Sequence, residues 1–263
     1  MSLYRDEAVV LRTWKLGEAD RIISLYTRLS GKVRGVAKGV RRTRSKFGSR
    51  LEPACHVAVQ LYRGRGELDT VTQAETINRF TRLRSDPDRF ARASAMLEVV
   101  EQLSPDREAD SSRHVMLRKA LATLDHYGTS VVMAGFFLKL LIQEGVQPVV
   151  DCCVICGSER QLERFHLLEG GVVCRSCNSS DPKNDDNSES RTKNIRPFGL
   201  NRNIRPLKPE ALGLLRLILG GGLAVAIQHP DDDIARQVTA LSTEALEVHI
   251  ERRLRSLVVL RDV

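Results

Sequence analysis

The sequence predicts an α+β chain of more than one domain: a small strand-rich barrel first, then a helical domain carrying a zinc-binding insertion. Three observations carry this. Five short apolar or alternating runs fall within the first eighty residues. Apolar residues recur at helical spacing after Arg82. Two cysteine pairs, Cys153-Val154-Ile155-Cys156 and Cys174-Arg175-Ser176-Cys177, stand seventeen residues apart. With 263 residues, 42% hydrophobic and 28% charged, the chain is long enough for two or three domains and has an ordinary globular composition.

The strands come in order. Ala8-Val9-Val10-Leu11 is a first apolar run, and Arg21 to Tyr26 is a second. Gly31 punctuates, and Val33 to Ala37 makes a third. From His56 to Tyr62 the side chains alternate, with Val57, Val59 and Leu61 on one face and Ala58, Gln60 and Tyr62 on the other, which is strand periodicity. Arg63-Gly64-Arg65-Gly66 is a turn, and Glu67 to Gln73 is a fifth strand. Five short strands with turns between them predict an antiparallel barrel over residues 1–80. An OB-fold, the partly open barrel that binds oligonucleotides, fits the count. An SH3-like barrel fits it too.

The helices follow. Asp86-Pro87 is an N-cap with proline in the first turn, and Phe90, Ala93, Leu97 and Val100 trace one face behind it. Ser112 is positioned to cap a second helix whose inner face is Leu117, Leu121 and Leu124. Ser130 to Glu144 is apolar nearly all round, as in a core helix, and Gly145 with Pro148 ends it. This is a first helical part, 81–149. The cysteine module spans 150–178. Residues 179–206 read as a polar, disordered loop, since Asn178 to Asn194 holds no apolar side chain beyond one proline ring. A short echo, Asn194-Ile195-Arg196-Pro197 and Asn203-Ile204-Arg205-Pro206, lies in it without an assigned role. Residues 207–263 are the second helical part. Leu212, Leu215 and Leu219 form a stripe ended by Gly220-Gly221-Gly222. Asp231 to Asp233 open a last helix whose inner face runs through Ile234, Val238, Leu241, Ala245 and Val248.

The cysteine spacing is that of a structural zinc site. Each C-x2-C turn aims two thiolates at one ion, and the second turn closes a tetrahedron with no open position for water. Cys153, Cys156, Cys174 and Cys177 are therefore the metal candidates. A one-residue shift would bring in Cys152, but the x2 spacing favours Cys153. Cys55 reads as a buried barrel residue.

Charge is as localised as the cysteines. Residues 1–82 hold 17 Lys/Arg against 8 Asp/Glu, and the rest of the chain holds 24 against 25. Lys32, Arg34, Lys38, Arg41, Arg42, Arg44, Lys46 and Arg50 occupy residues 31–50, which contain no acid. Such a field favours a polyanion, most often nucleic acid. Tyr26, Phe47 and Tyr62 lie near enough to offer faces for base stacking, although most aromatics pack internally. No signal-peptide pattern opens the chain, and Val131 to Ile142 is too short to span a bilayer and contains Lys139. The expectation is a cytoplasmic, nucleoid-associated protein.

Enzyme chemistry finds little support. His166-Leu167-Leu168-Glu169 has the wrong spacing for a deaminase H-x-E, and neither cysteine pair follows a proline. No G-x-x-x-x-G-K-[ST] phosphate loop occurs. A non-catalytic nucleic-acid-binding protein is the reading that remains. A zinc-ribbon transcription or RNA-processing factor is the alternative.

Three segments, in this order along the chain, resemble the bacterial RecO family of recombination and repair proteins. Glu7-Ala8-Val9-Val10-Leu11 with Gly17-Glu18-Ala19-Asp20-Arg21-Ile22 is similar to its opening hairpin. Val36-Ala37-Lys38-Gly39-Val40-Arg41-Arg42, running into Phe47-Gly48-Ser49-Arg50-Leu51-Glu52-Pro53, resembles its basic segment. The third is Cys153-Val154-Ile155-Cys156-Gly157 with its partner pair. The resemblance covers nearly the whole chain, to His249–Leu257. It implies an N-terminal OB-fold, a helical domain and a zinc-finger insertion. It also implies binding of single- and double-stranded DNA, annealing of complementary strands, and partnership with RecR. Single-stranded DNA-binding protein would be a further partner, with RecA reached indirectly as it is loaded. The long polar stretch after Cys177 departs from the family pattern.

Overall fold

A computed structural model describes residues 2–178 and 203–257. The chain divides into two compact units, Met1–Phe136 with Arg253–Val263, and Phe137–Arg252.

The first unit is built on a closed five-stranded barrel: β1 (Leu3–Leu16), β2 (Asp20–Thr27), β3 (Gly31–Ala37), β4 (His56–Tyr62) and β5 (Asp69–Asn78). Neighbours run β1-β2-β3-β5-β4, and β1 pairs β4 to close the ring. All pairs are antiparallel except β3 with β5. This order, with one parallel pair bridging the third and fifth strands, is that of the OB-fold and settles the choice between the two barrel types. The interior is filled by small and branched side chains, among them Ala8, Val10, Ile23, Leu25, Val57, Val59, Leu61 and Val71. Alternation along β4 is as the sequence predicts. β1 is longer than its apolar run because its polar ends are held by ladders to β2 and β4. β5 runs on to Asn78 by pairing with His56 on β4.

Helices α1 (Thr81–Ser85), α2 (Pro87–Leu103) and α3 (Ser111–Tyr127) complete this unit, with α2 and α3 lying on β1 and β2. Asp86 caps α2 by accepting from the backbone N–H of Asp88 and Arg89, and Pro87 begins the helix. Leu117, Leu121 and Leu124 are the buried face of α3. Its cap is Asp110, not Ser112: the Asp110 carboxylate accepts from Arg113 N at 2.9 Å, so the helix starts a residue before Ser112. A short 3-10 turn, Arg255–Leu257, packs on α2. There the Glu98 carboxylate accepts from Arg255 N, Ser256 N and Ser256 Oγ.

α4 (Ser130–Gln143) is buried almost throughout, and the division between units falls inside it. The second unit holds a three-stranded sheet of β6 (Leu162–His166), β7 (Gly171–Cys174) and β8 (Ile204–Pro206), in the order β7-β6-β8. The short helix α5 (Arg175–Asn178) follows β7. After β8 come α6 (Pro209–Leu219), α7 (Leu223–Ala226) and α8 (Asp233–His249). The polar loop therefore ends earlier than the sequence suggests. Residues 204–206, the second copy of the short echo, form a strand because β6 has an edge to pair. Residues 179–194 and the first copy of the echo lie outside the described residues. On α6 the buried positions are Ala211, Leu212, Leu214, Leu215 and Ile218, and Ile218 takes the inward place expected of Leu219. Asp232 caps α8, and Ala235, Val238, Leu241 and Ala245 are buried along it.

Candidate metal centre and nucleic-acid interface

Two turns of backbone build the cysteine centre. In the first, Cys153 N donates to Ser158 O at 2.8 Å and Gly157 N to Cys153 O at 2.8 Å, which folds Cys153–Cys156 into a tight knuckle. Val154 N donates to Val172 O and fixes that knuckle on β7. In the second, Cys174 ends β7 and Cys177 sits on α5. One sulfur from each of Cys153, Cys156, Cys174 and Cys177 lies within 4.8 Å of the others, and Cys156 and Cys174 sulfurs are 3.6 Å apart. Cys152 is outside the cluster.

The donor set suits a soft divalent ion. Burial alone would raise the Cys153 thiol. Backbone N–H groups of Cys174, Cys156 and Ile155 reverse this and hold it at about 6, so a thiolate is ready for a metal. Cys177 is pushed up to about 12 because its thiol hydrogen-bonds Cys156 and Cys174. A metal ion that binds this sulfur must take the place of its proton. Four sulfurs around one point match the closed tetrahedral structural zinc type. Cys55 sits apart, buried in the barrel, with its sulfur near Ser49 O and Arg84.

The basic segment forms the β3–β4 connection at one end of the barrel. Gly39 N donates to Asp20 Oδ1 and Arg41 N to Ala19 O, so the segment lies against the β1–β2 turn. The Arg41 guanidinium also donates to Gly17 O and Glu18 O. Lys46 Nζ donates to Thr72 O on β5, at 2.9 Å. Arg34, Lys38, Arg41, Arg42, Arg44 and Lys46 are exposed, and Arg50 is half-buried with its guanidinium on Lys46 O and Phe47 O.

Three sequence candidates are placed elsewhere. Lys32 is only 7% exposed: its ammonium donates to Glu101 O at 2.9 Å and pairs with Asp106 at 3.2 Å. It ties β3 to the helices and is not available to a phosphate. Tyr26 and Phe47 are each 1% exposed, so neither offers a ring face to a base. Phe47 fills the barrel core. Tyr26 points outward from β2 and is covered by α3, its ring 6.2 Å from that of His114. Tyr62, 37% exposed near the β4–β5 turn, keeps an accessible face.

One residue escaped the sequence reading. Trp14, the chain's only tryptophan, is partly exposed on β1 beside Ile22, and the Arg12 guanidinium lies 5.1 Å from its ring. It stands two residues from the turn that the basic segment grips. A β-bulge between Val10 and Arg12 reverses the alternation of β1 and turns Arg12 and Trp14 outward.

A five-stranded OB barrel, a helical region and a four-sulfur cluster of zinc type define a class of modular OB-fold proteins. Two family models match the chain: Recombination protein O N terminal over residues 1–80 and Recombination protein O C terminal over residues 84–198. The chain belongs to the RecO family, and its role lies in DNA repair and recombination. A relative from Nocardioides sp., named DNA repair protein RecO, is 38% identical over 268 residues, covering 97% of this chain and 98% of its own. Relatives of the same name are 36% identical in Thermobifida fusca, over 98% of both chains, and 43% identical in Rubrobacter xylanophilus. The last match covers 69% of this chain and 74% of the relative. Among the described residues no helix is long and apolar enough to cross a membrane.

Proposed function

We propose that this chain is a non-catalytic recombination mediator of the cytoplasm and nucleoid. It binds single- and double-stranded DNA, anneals complementary strands and, with RecR, helps load RecA on DNA coated by single-stranded DNA-binding protein. The observation that carries this is the acid-free run of exposed cations from Lys38 to Lys46 in the β3–β4 connection, on an OB barrel that also exposes part of Trp14. Cations that neutralise phosphates bind DNA of any sequence and release counterions. Annealing needs two anionic strands held together with their base edges left accessible, so it calls for no acid, base or nucleophile. The four-cysteine site holds zinc as scaffold for the second unit, since a closed sulfur set leaves no position for substrate.

The test is charge reversal. Arg41→Glu, Arg42→Glu and Arg44→Glu together replace attraction by repulsion at three exposed points. Affinity should fall for all sequences, and the slope of log affinity against log salt should flatten by about one unit per lost contact. Annealing should fall in step while zinc content and the melting transition stay as in the parent. A triple variant that binds and anneals like the parent at ~0.15 M salt would place the DNA surface elsewhere.

A further inference from the structure

Glu7 on β1, His56 at the start of β4 and His114 in the first turn of α3 converge inside the first unit. One ligand atom from each lies within 4.8 Å of the other two. His56 Nε2 is 2.7 Å from Glu7 Oε1. His114 is fully buried, and neither ring nitrogen has a hydrogen-bond partner among the described residues. Such an orphan is costly: about 1–3 kcal/mol of lost solvation for each unpaired buried polar atom. Its ring is 6.2 Å from those of His56 and Tyr26.

We propose that Glu7, His56 and His114 form a second, nitrogen-and-oxygen site for a divalent transition-metal ion, zinc being the simplest occupant. Two imidazoles and a carboxylate are a common zinc donor set, and nitrogen ligands sit about 2.0–2.1 Å from the ion. Around a tetrahedral ion of that size the ligand atoms stand about 3.3 Å apart. The Glu7–His56 contact must therefore open slightly and His114 must close in, both within side-chain reach. An ion would use one orphan nitrogen of His114. It would also move the His56 proton from Nε2 to Nδ1, freeing the Nε2 lone pair with no net proton release. Arg118 and Arg28 lie 3.8 and 3.9 Å from the Glu7 carboxylate and already neutralise part of its charge. The site is thus weaker than the four-thiolate centre and fills after it. An ion here would clamp α3 to β1 and β4.

The experiment uses the whole chain. Zinc is added in excess, unbound metal is removed, and the bound metal is counted. Two equivalents are expected in the parent, and one in His114→Leu and in His56→Gln. Cobalt substitution should leave the thiolate charge-transfer absorption unchanged in both variants, which locates the lost ion away from the cysteines. One equivalent in the saturated parent, or two retained in both variants, overturns the proposal. Should the variants fail to fold, the parent decides by imidazole nitrogen resonances. With the cysteine site already filled, added zinc must shift both His56 and His114, and unmoved resonances overturn the assignment.

Discussion

At the scale of single residues, the molecule separates four sulfurs clustered closely enough to share a metal ion from the Cys55 sulfur, which packs in the barrel. Replacing Cys174 by Ser removes a ligand from the cluster, and should abolish zinc retention in the second unit and cost several kcal/mol there, since metal binding is folding free energy at such sites. Cys55→Ser alters one buried side chain of the barrel and should leave zinc content unchanged. Metal analysis with thermal melts of the two variants separates these outcomes. Trp14 is the corresponding test residue for the proposed DNA surface. Stacking of a base on an aromatic is worth about 1–3 kcal/mol by alanine replacement. Trp14→Ala should therefore weaken single-stranded DNA roughly tenfold or more, while the salt slope stays near that of the parent because no phosphate contact is lost. An unchanged affinity for single strands, measured by fluorescence anisotropy, would remove Trp14 from the interface.

At the scale of elements, the sequence was most legible where a pattern is local. The cysteine pairs bring their sulfurs together through turns a few residues long, so spacing alone located them. Short apolar runs mark the first three strands, and the alternation from His56 to Tyr62 coincides with β4 at both ends. Legibility ended where burial depends on a distant partner. Tyr26 lies on the outer face of β2, and the docking of α2 and α3 hides it. Lys32 sits in a run of mostly exposed cations, yet Glu101 and Asp106 claim it from the helical side. Trp14 went unnoticed because the bulge after Val10 breaks the period-two pattern that would have marked an outward face. The β2–β3 turn gives a sharp test of this packing. Gly31 has φ +69°, and a Cβ built on it would lie 2.1 Å from Glu108 O. Gly17, with φ +59°, has nothing within 4 Å of the same added atom. Both alanine variants incur the left-handed penalty of about 1–2 kcal/mol. Gly31→Ala must also displace the backbone before α3, so its loss in chemical denaturation should exceed that of Gly17→Ala by a further kcal/mol or more, about the scale of overpacking.

At the scale of the whole molecule, stability should depend on acid through the first unit. Burial lowers His114 to about 4, and burial also lowers His56. Between an unfolded pKa near 6.5 and about 4, the unfolded chain binds more protons than the folded one, so stability is lost as pH falls through that window. For His114 alone the loss approaches about 3 kcal/mol. Glu7 is also held below its usual value: burial opposes this, but the hydrogen bond and charge of His56 outweigh it, which adds a loss in the same direction at lower pH. Trp14 reports this unit alone, so its fluorescence in denaturant titrations from pH 7 to pH 4 reads the effect without interference from the cysteine site. A flat profile would mean that His114 is already protonated or solvated in the folded protein.

The 3-10 turn at Arg255–Leu257 belongs to the first unit although the whole of the second unit separates it from the rest in sequence. Synthesis runs from the other end. The barrel and its three helices leave the ribosome before the second unit, yet the backbone N–H groups that satisfy Glu98 on α2 arrive only after about 128 further residues, from Tyr127 to Arg255. At 5–20 residues per second this is a delay on the order of ten seconds. During it the nascent first unit presents an unfilled seat on α2, so its packing waits for a segment made after the whole of the second unit.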